Sequence, residues 1–327
     1  MNAKCRILYL LKMFIRMTDS EHFMSMTTIM TYLSNGGYGV GKRTIKEDMD
    51  ALTYMGFDIE YIHNKGYHLK KRLFSLAILK MLADAIASFR FLTVENSEML
   101  FKSLENFCST YEAPILRREI TITNRVKSDN EQIFENIDLI NSAFHNNKQI
   151  LFDYYDYDIN KQLVCRDHQK RTCSPCALIM SNEYYYVVSH YAKYADFYTN
   201  FRLDRMKNIQ LVDSDRELPN EKLDLERYIK SSFSMFSGKD SYVTLRFPLE
   251  NKYCNVVIDR FGKSVLMMKD RVSKNHFTVD VPIKTDYPQP FFSWIFSFDG
   301  NAEILKPSKL KEMYIDSLLK YCTQSYA

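Results

Sequence analysis

Residues that make a chain flexible or cross-linked are scarce in this sequence. Its 327 residues include only 9 glycines and 8 prolines, which excludes collagen-like proteins and long flexible linkers. The 7 cysteines are an odd number scattered along the chain, which favours reduced thiols over a disulfide framework. We therefore expect a globular protein whose helices and strands follow one another closely.

Long apolar runs are also missing. The most apolar stretch, residues 74–92, is interrupted by Lys80, Asp84 and Arg90, whereas a membrane-spanning helix needs ~18 or more apolar residues in succession. The first residues carry scattered bases rather than the compact charged and apolar regions of a signal peptide. We expect the protein to remain in the cytoplasm.

Recognised catalytic motifs are absent as well. The sequence has no Gly-x-Ser-x-Gly elbow, no dinucleotide fingerprint and no His-Glu-x-x-His pair. The glycines of residues 36–41 lie before Lys42, but no buried strand precedes them as in a phosphate-binding loop. Only Cys173 and Cys176 have the spacing of metal ligands, and no second pair completes a four-ligand set. We therefore predict no enzyme, no metal site and no cofactor.

The residues that are present favour several cores and one basic end. Hydrophobic residues make up 46% of the chain, and its length is about twice that of a usual domain. The net charge of +4 falls on residues 1–72, which contain eleven lysines and arginines against seven acids. A basic segment of this kind is typical of proteins that bind nucleic acid.

The first seventy residues show the periodicity of three helices followed by a hairpin. The predicted elements are helices at residues 3–17, at 26–34 and from 42 onward, and strands at 57–62 and 67–69. In the third helix the apolar face is predicted at Ile45, Met49, Leu52 and Met55.

Bases occupy the first turn of this third helix, where the helix dipole favours acids. Their presence there indicates an anionic partner outside the chain, such as phosphates and base edges. We predict that DNA is contacted by Lys42, Arg43, Thr44, Lys46 and Glu47 of the helix and by Lys65 of the hairpin.

The same residues resemble a known DNA-binding domain. The relevant strings are Lys42-Arg43-Thr44-Ile45-Lys46-Glu47-Asp48-Met49-Asp50-Ala51-Leu52, Gly56-Phe57-Asp58-Ile59 and Gly66-Tyr67-His68-Leu69. They look like the DeoR-type winged helix-turn-helix that begins bacterial WYL-domain regulators. The resemblance implies that the third helix enters the major groove and that the hairpin is the wing. A winged helix used for protein contacts is the alternative.

Three further amphipathic helices are predicted before the next change of pattern, at residues 74–92, 95–108 and 130–145. The buried side of the first is predicted at Leu76, Leu79, Met81, Leu82, Ile86 and Phe89. These helices match the connector between the winged helix and the WYL domain, where we expect a spacer and dimer interface.

Short strands with turns follow from Lys148 to Val212, the pattern of a small β-barrel. Three pieces resemble the WYL domain: residues 150–154, residues 174–188 with Tyr185-Tyr186-Val187 in place of Trp-Tyr-Leu, and residues 200–206. Many relatives carry a base at the position of Thr199. The resemblance implies a groove for an anionic ligand.

The ligand-binding residues that we predict are Tyr154, Ser174, Tyr185, Tyr186, Arg202 and Arg205. If residues 200–206 form a strand, Arg202 and Asp204 share one face. An arginine beside tyrosines suits a nucleotide or a single strand, because guanidinium binds phosphate and the ring stacks on a base. The alternative is that the tyrosines are half-buried and that Arg202 pairs with Asp204 or Asp153.

The remaining residues alternate as βαββαβ, an order that is typical of a ferredoxin-like fold. The predicted fold is therefore an α+β multidomain chain with four parts: a winged helix-turn-helix (1–72), a helical connector (73–147), a Sm/SH3-like β-barrel WYL domain (148–213) and a ferredoxin-like extension (214–327). Trp294 is expected in the core of the extension.

The resemblance implies a ligand-responsive, sequence-specific transcriptional regulator that binds operator DNA as a homodimer. Its effector is expected to be a short nucleic acid or nucleotide bound by the WYL domain. The alternative is a nucleic-acid-binding accessory protein of a phage-defence or DNA-repair system, with weak sequence preference.

Overall fold

The computed structural model describes residues 3–118, 127–219 and 223–324. The chain has a mixed α/β architecture and divides into two compact units, Met1–Glu131 and Gln132–Ala327. In the described ranges, no helix combines the length and the apolar character needed to cross a membrane.

The first unit contains the predicted three helices and hairpin in the predicted order. Its elements are α1 (Ala3–Met17), α2 (Met26–Asn35), α3 (Lys42–Tyr54), β1 (Ile59–Ile62), β2 (Gly66–Leu69), α4 (Leu76–Ser88), α5 (Val94–Glu105) and α6 (Ala113–Arg118). Helix α2 begins where Ser25 accepts a hydrogen bond from the backbone N–H of Thr28, a standard N-cap.

The core of α1 to β2 follows the predicted helical spacing. Ile45, Met49 and Leu52 of α3 pack with side chains of α1, α2 and β2. Met55 was predicted on this face, and that prediction is wrong: Met55 follows the helix as its C-cap and is 73% exposed. Helix α3 ends at Tyr54, one residue before the last position of the predicted apolar repeat.

The hairpin lies against the segment before α2. Met24 and Tyr67 exchange two backbone hydrogen bonds of 2.9 Å. Gly66 has φ +123°, and a Cβ there would lie 2.5 Å from the carbonyl oxygen of Met24. Only glycine fits this approach without displacing the backbone.

Helix α4 buries a narrower face than predicted. Leu79, Ala83 and Ile86 are buried, whereas Met81 is 73% exposed and Leu82 is 40% exposed. The prediction that Met81 and Leu82 are buried is therefore wrong. Helix α4 contacts α5 and the unpredicted α6.

The second unit begins with α7 (Ile133–His145) and a curled six-stranded sheet. Its strands are β3 (Lys148–Tyr157), β4 (Leu163–Cys165), β5 (Arg171–Ser181), β6 (Tyr184–His190), β7 (Thr199–Arg202) and β8 (Met206–Asp215). The long β3 pairs with β4, β5 and β8, which curls the sheet. Phe152, Val187 and Phe201 are buried in it.

The strand predicted at residues 200–206 is shorter in the structure. Strand β7 ends at Arg202, and Leu203–Arg205 forms a 3₁₀ turn into β8. The side-chain alternation that we predicted therefore does not continue to Arg205.

The remaining elements show the predicted βαββαβ order after one short helix. They are α8 (Leu225–Ser231), β9 (Asp240–Pro248), α9 (Asn251–Phe261), β10 (Met267–Lys269), β11 (His276–Lys284), α10 (Gln289–Phe296), β12 (Glu303–Lys306) and α11 (Ser308–Gln324). The sheet is antiparallel in the order β10-β11-β9-β12. Trp294 is partly buried against its core.

Candidate functional site

Helix α3 presents an uncapped, basic N-terminal turn. It begins after Gly41, which provides no side-chain cap, and its first turn contains no acid. Lys42, Arg43 and Lys46 are exposed and Thr44 is half-buried. Arg43, 94% exposed, donates to Glu47 across one helical turn at 3.0 Å.

A buried ion pair fixes this helix to α1. Arg6 donates from Nε and Nη2 to the two carboxylate oxygens of Asp48, at 2.6 and 3.0 Å. Both side chains are largely buried. Because a bidentate pair constrains orientation as well as distance, it fixes the rotation of α3 at which the basic side chains are exposed.

Lys65 lies in the turn between β1 and β2 and is exposed. Its Nζ atom is 5.2 Å from the centre of the Phe23 ring. At the same hairpin the rings of Tyr61 and Tyr67 lie 4.9 Å apart. The turn therefore offers one cation beside a small aromatic surface.

A groove in the second unit combines arginines with aromatic rings. A cavity of about 530 Å³ is lined by Arg166, Arg202 and Arg205. Its aromatic lining residues are Tyr154, Tyr186, Tyr194, Phe197, Phe236 and Tyr287. Burial raises the pKa of the Tyr154 and Tyr186 hydroxyls, so both remain neutral hydrogen-bonding groups.

Arg202 is held on three sides. Its guanidinium donates to Asp204 at 3.1 and 2.7 Å and lies 3.5 Å from the centre of the Tyr184 ring. Its backbone N–H donates to the Tyr154 hydroxyl at 3.1 Å. Burial alone would lower the pKa of Arg202, but the Asp204 carboxylate outweighs this effect and raises it. The alternative pairing with Asp204 is therefore present, and the side chain still lines the cavity.

Arg205 shares its counterion with Arg166. Asp156 accepts from Arg205 Nη1 at 2.9 Å and also from Arg166 Nε. Within the described residues, the buried Nε of Arg205 and the buried hydroxyl of Thr199 have no hydrogen-bond partner. Both residues line the cavity, and buried polar atoms of this kind are normally satisfied.

Comparison with known protein families identifies the domain that contains this six-stranded sheet. Residues 135–211 match the WYL domain. The chain contains a WYL domain. The match includes most of α7, all of β3 to β7, and the first six residues of β8.

The chain also has a similar solved structure. Proteasome accessory factor B/C (PafBC) of Arthrobacter aurescens is similar with 14% identity and a TM-score of 0.31. The alignment covers 97% of this chain and 49% of that one, so this chain spans about half of its length. No curated protein sequence matches.

Two predicted ligand residues of the WYL domain lie outside the groove. Ser174 is buried, and its hydroxyl accepts from the backbone N–H of Glu217 at 2.8 Å. Tyr186 is the cross-strand partner of Arg202. Because neighbours alternate along a strand, Tyr185 faces the side opposite to Tyr186 and Arg202. Tyr185 is therefore not brought together with the other predicted ligand residues, and its role in binding stays a prediction.

Sequence reasoning missed several groove residues. Tyr184 supports Arg202, and Arg166 approaches from the loop between β4 and β5. Phe236 and Tyr287 come from the residues that follow the WYL domain, and both rings are about half exposed. The available signal was the run of bases at residues 166–171, beside a strand that already contained Tyr154.

In the described ranges, no three His, Cys, Asp or Glu side chains come together as a metal site. Cys173 and Cys176, which have metal-like spacing, lie on β5 as free thiols. Burial raises the pKa of the Cys173 thiol to about 12. A protonated thiol is a poor metal ligand.

Proposed function

We propose that this protein is a transcriptional regulator that binds operator DNA and responds to a nucleic-acid ligand. The observation that carries the proposal is the WYL groove, where arginines and exposed aromatic rings line one cavity. This lining favours a short single-stranded nucleic acid or a nucleotide, because guanidinium groups pair with phosphates and rings stack on bases.

The proposal also includes a fold for each part of the chain. We interpret residues 1–72 as a winged helix-turn-helix, 73–147 as a connector and 148–213 as a Sm/SH3-like barrel. Residues 214–327 are interpreted as ferredoxin-like, because the first strand of their antiparallel sheet lies between the third and fourth.

In a winged helix the third helix lies in the major groove. The exposed Lys42 and Lys46 on α3 support this role, since the first turn of the helix contains no acid. Arg43 and Glu47 suit base edges or phosphates only if their mutual ion pair opens on binding. Lys65 in the hairpin suits a backbone contact by the wing.

A homodimer is the proposed DNA-binding form. One small DNA-binding module covers only ~600–1,000 Å² of protein surface, and two copies on a two-fold operator double that area. We assign no catalytic step to the chain. Because operator DNA lies in the bacterial cytoplasm, the proposal implies a cytoplasmic protein.

Fluorescence anisotropy with the full chain tests the proposal. The protein is titrated into its own upstream DNA and into a scrambled duplex, at low and at physiological salt. Each titration is repeated with a short single strand added. We expect tighter binding to the upstream DNA and a change in that binding when the single strand is present.

Equal, strongly salt-sensitive binding to both duplexes would contradict the regulator and support the accessory protein. If the protein prefers the upstream DNA and the single strand does not change that binding, the proposed DNA binding stands and the proposed effector is wrong. A matched variant, Arg205→Gln, should lose the effect of the single strand and keep the upstream preference.

A further inference from the structure

A second, smaller cavity adjoins the groove of the WYL domain. It measures about 150 Å³ and shares five lining residues with the larger cavity: Tyr154, Arg166, Tyr194, Thr199 and Asn200. Its own cations are Arg171 and Lys193, and its one carboxylate is Asp167. The two cavities are therefore neighbours that share part of their walls.

Arg171 is a buried cation of this smaller cavity. It is 9% exposed, and its guanidinium carbon lies 4.9 Å from the Tyr154 ring centre and 5.8 Å from that of Phe201. Its Nη2 atom donates to Asp167 at 3.1 Å. A guanidinium group has five donors, so this pair leaves donors for a ligand. The flanking rings hold the planar group against the cavity wall.

Lys193 is the exposed cation of the same cavity. It forms no ion pair with any described residue. Its Nζ atom lies 5.7 Å from the ring centre of Tyr194, which also lines both cavities. A lysine without a counterion beside a buried arginine is an arrangement that favours an anion.

The backbone at the smaller cavity is in an uncommon conformation. Asp167 and His168 have φ values of 63° and 49°, which cost free energy in residues other than glycine. The turn places Arg166 and Asp167 on the cavity while β5 begins at Arg171. Strain of this kind is concentrated at binding sites.

Size and charge together select the ligand. The cavity is smaller than the ~300–1,000 Å³ of sites that enclose drug-sized molecules, so a whole nucleotide does not fit. Its lining carries three cations and one carboxylate. A terminal phosphate monoester carries about −1.5 to −2 charges at pH 7, whereas a phosphodiester within a strand carries one. Asp167 and Asp156, the latter outside the cavity lining, already pair with Arg171 and Arg166, so Lys193 provides the net positive charge. A cavity that is positive and too small for a nucleotide therefore matches the phosphate at a chain end.

We propose that the cavity of Arg171 and Lys193 binds the terminal phosphate monoester of the single strand whose bases occupy the larger cavity. This inference rests on the proposed function, because it assumes that the groove takes a single strand. It defines the effector as a strand with a phosphorylated end, the product of a nuclease that leaves phosphate on the fragment.

Isothermal titration of the full chain tests this inference. Short strands of one sequence are compared with no terminal phosphate, with a 5′-phosphate and with a 3′-phosphate; a mononucleotide and inorganic phosphate are titrated separately. We expect one phosphorylated strand to bind ~10-fold more tightly than the unphosphorylated strand, the ratio that corresponds to ~1.4 kcal/mol. The preference should shrink at high salt.

Variants locate the phosphate. Lys193→Gln, at an exposed position, should reduce the preference to less than about threefold. Arg171→Gln should also reduce it, with the circular dichroism spectrum as the check on folding. Lys170→Gln removes a neighbouring exposed lysine outside both cavities and should retain the full preference.

The outcomes separate the two proposals. Equal binding of all three strands overturns the phosphate site and leaves the proposed function standing. No binding of any strand overturns the proposed effector itself. Inorganic phosphate that binds as tightly as the phosphorylated strand overturns the assignment to a strand end.

Discussion

The guanidinium carbon of Arg202 lies 3.5 Å from the centre of the Tyr184 ring. Tyr184 is two residues before Tyr186, the cross-strand partner of Arg202, so the ring and the cation share one face of the sheet. The contact holds the arginine at the cavity while Asp204 balances its charge. A cation and a ring at this distance attract each other by about 0.5–2 kcal/mol.

Replacing Tyr184 should weaken binding of the single strand. Tyr184→Leu removes the ring that orients Arg202, and we expect the dissociation constant to rise about fivefold, the equivalent of ~1 kcal/mol. Tyr185→Leu is the matched control, because Tyr185 faces the other side of β6, and its dissociation constant should stay unchanged. Calorimetric titration of both variants measures the difference; equal losses of affinity would place the two rings in one role.

Lys46→Gln should weaken duplex binding similarly for all sequences. If Lys46 neutralises one phosphate, its removal should lower the slope of log K against log salt by ~0.9. Anisotropy titrations over a range of salt concentrations measure that slope. Lys12→Gln, on the exposed side of α1, is the control and should leave it unchanged. An unchanged slope for Lys46→Gln removes this residue from the interface.

Asp48→Asn should destabilise the first unit. The substitution leaves the largely buried Arg6 without its bidentate partner, and we expect the free energy of unfolding to fall by about 2 kcal/mol. Urea denaturation measures the decrease. Asp50→Asn changes an exposed acid on the same helix and should alter stability by less than ~0.5 kcal/mol. Similar decreases in both variants would contradict the role of the ion pair.

The stability of the fold at acid pH depends on the hydrogen bonds that the Asp19 carboxylate accepts. Burial would raise its pKa, but hydrogen bonds from Ser109 Oγ and from the backbone N–H groups of Glu21 and His22 outweigh burial and lower it. A lowered pKa stabilises the fold above the unfolded value of about 3.9 and ceases to do so as pH falls through the folded value.

We therefore expect the wild-type protein to lose this contribution below about pH 4. Asp19→Asn should be less stable near neutral pH and should lose less stability on acidification. Ser109→Ala should move the acid transition to higher pH, because one of the stabilising hydrogen bonds is removed. Thermal unfolding across this pH range measures all three; parallel curves would remove Asp19 as the cause.

The proposed homodimer has a direct measurement. Sedimentation equilibrium of the full chain should give twice the 38.7 kDa of one chain at the concentrations where operator DNA binds. A monomer at those concentrations would contradict binding to a two-fold operator. The mass in the presence of a short single strand should remain that of a dimer if the effector changes helix spacing rather than assembly.

Much of the fold follows from periodicity. The predicted helix at residues 3–17 has the same bounds in the structure, because its apolar spacing and its core packing coincide. The exposure of Met81 and Leu82 does not follow from their spacing. An apolar stripe shows which side of a helix can be buried, and only the neighbours α5 and α6 decide how much of it is.

Fewer residues of the groove could be predicted from the sequence. Arg202 and Tyr186 were identified from a motif, but Tyr184 was not, because the residues of β6 that face Arg202 depend on the register of β6 with β7. Arg171 approaches Tyr154 through a turn with two left-handed residues. The spacing of a sequence contains no signal for such an approach.

Asp156 sets a minimum strength of binding that a ligand of the groove must exceed. This carboxylate accepts hydrogen bonds from both Arg166 and Arg205, so it occupies donors that a bound phosphate would also use. A ligand must therefore compete with an anion that is always present and always at the same local concentration. Weak or transient anions lose that competition, so the proposed effector is expected to be a ligand whose phosphate binds several cations at once.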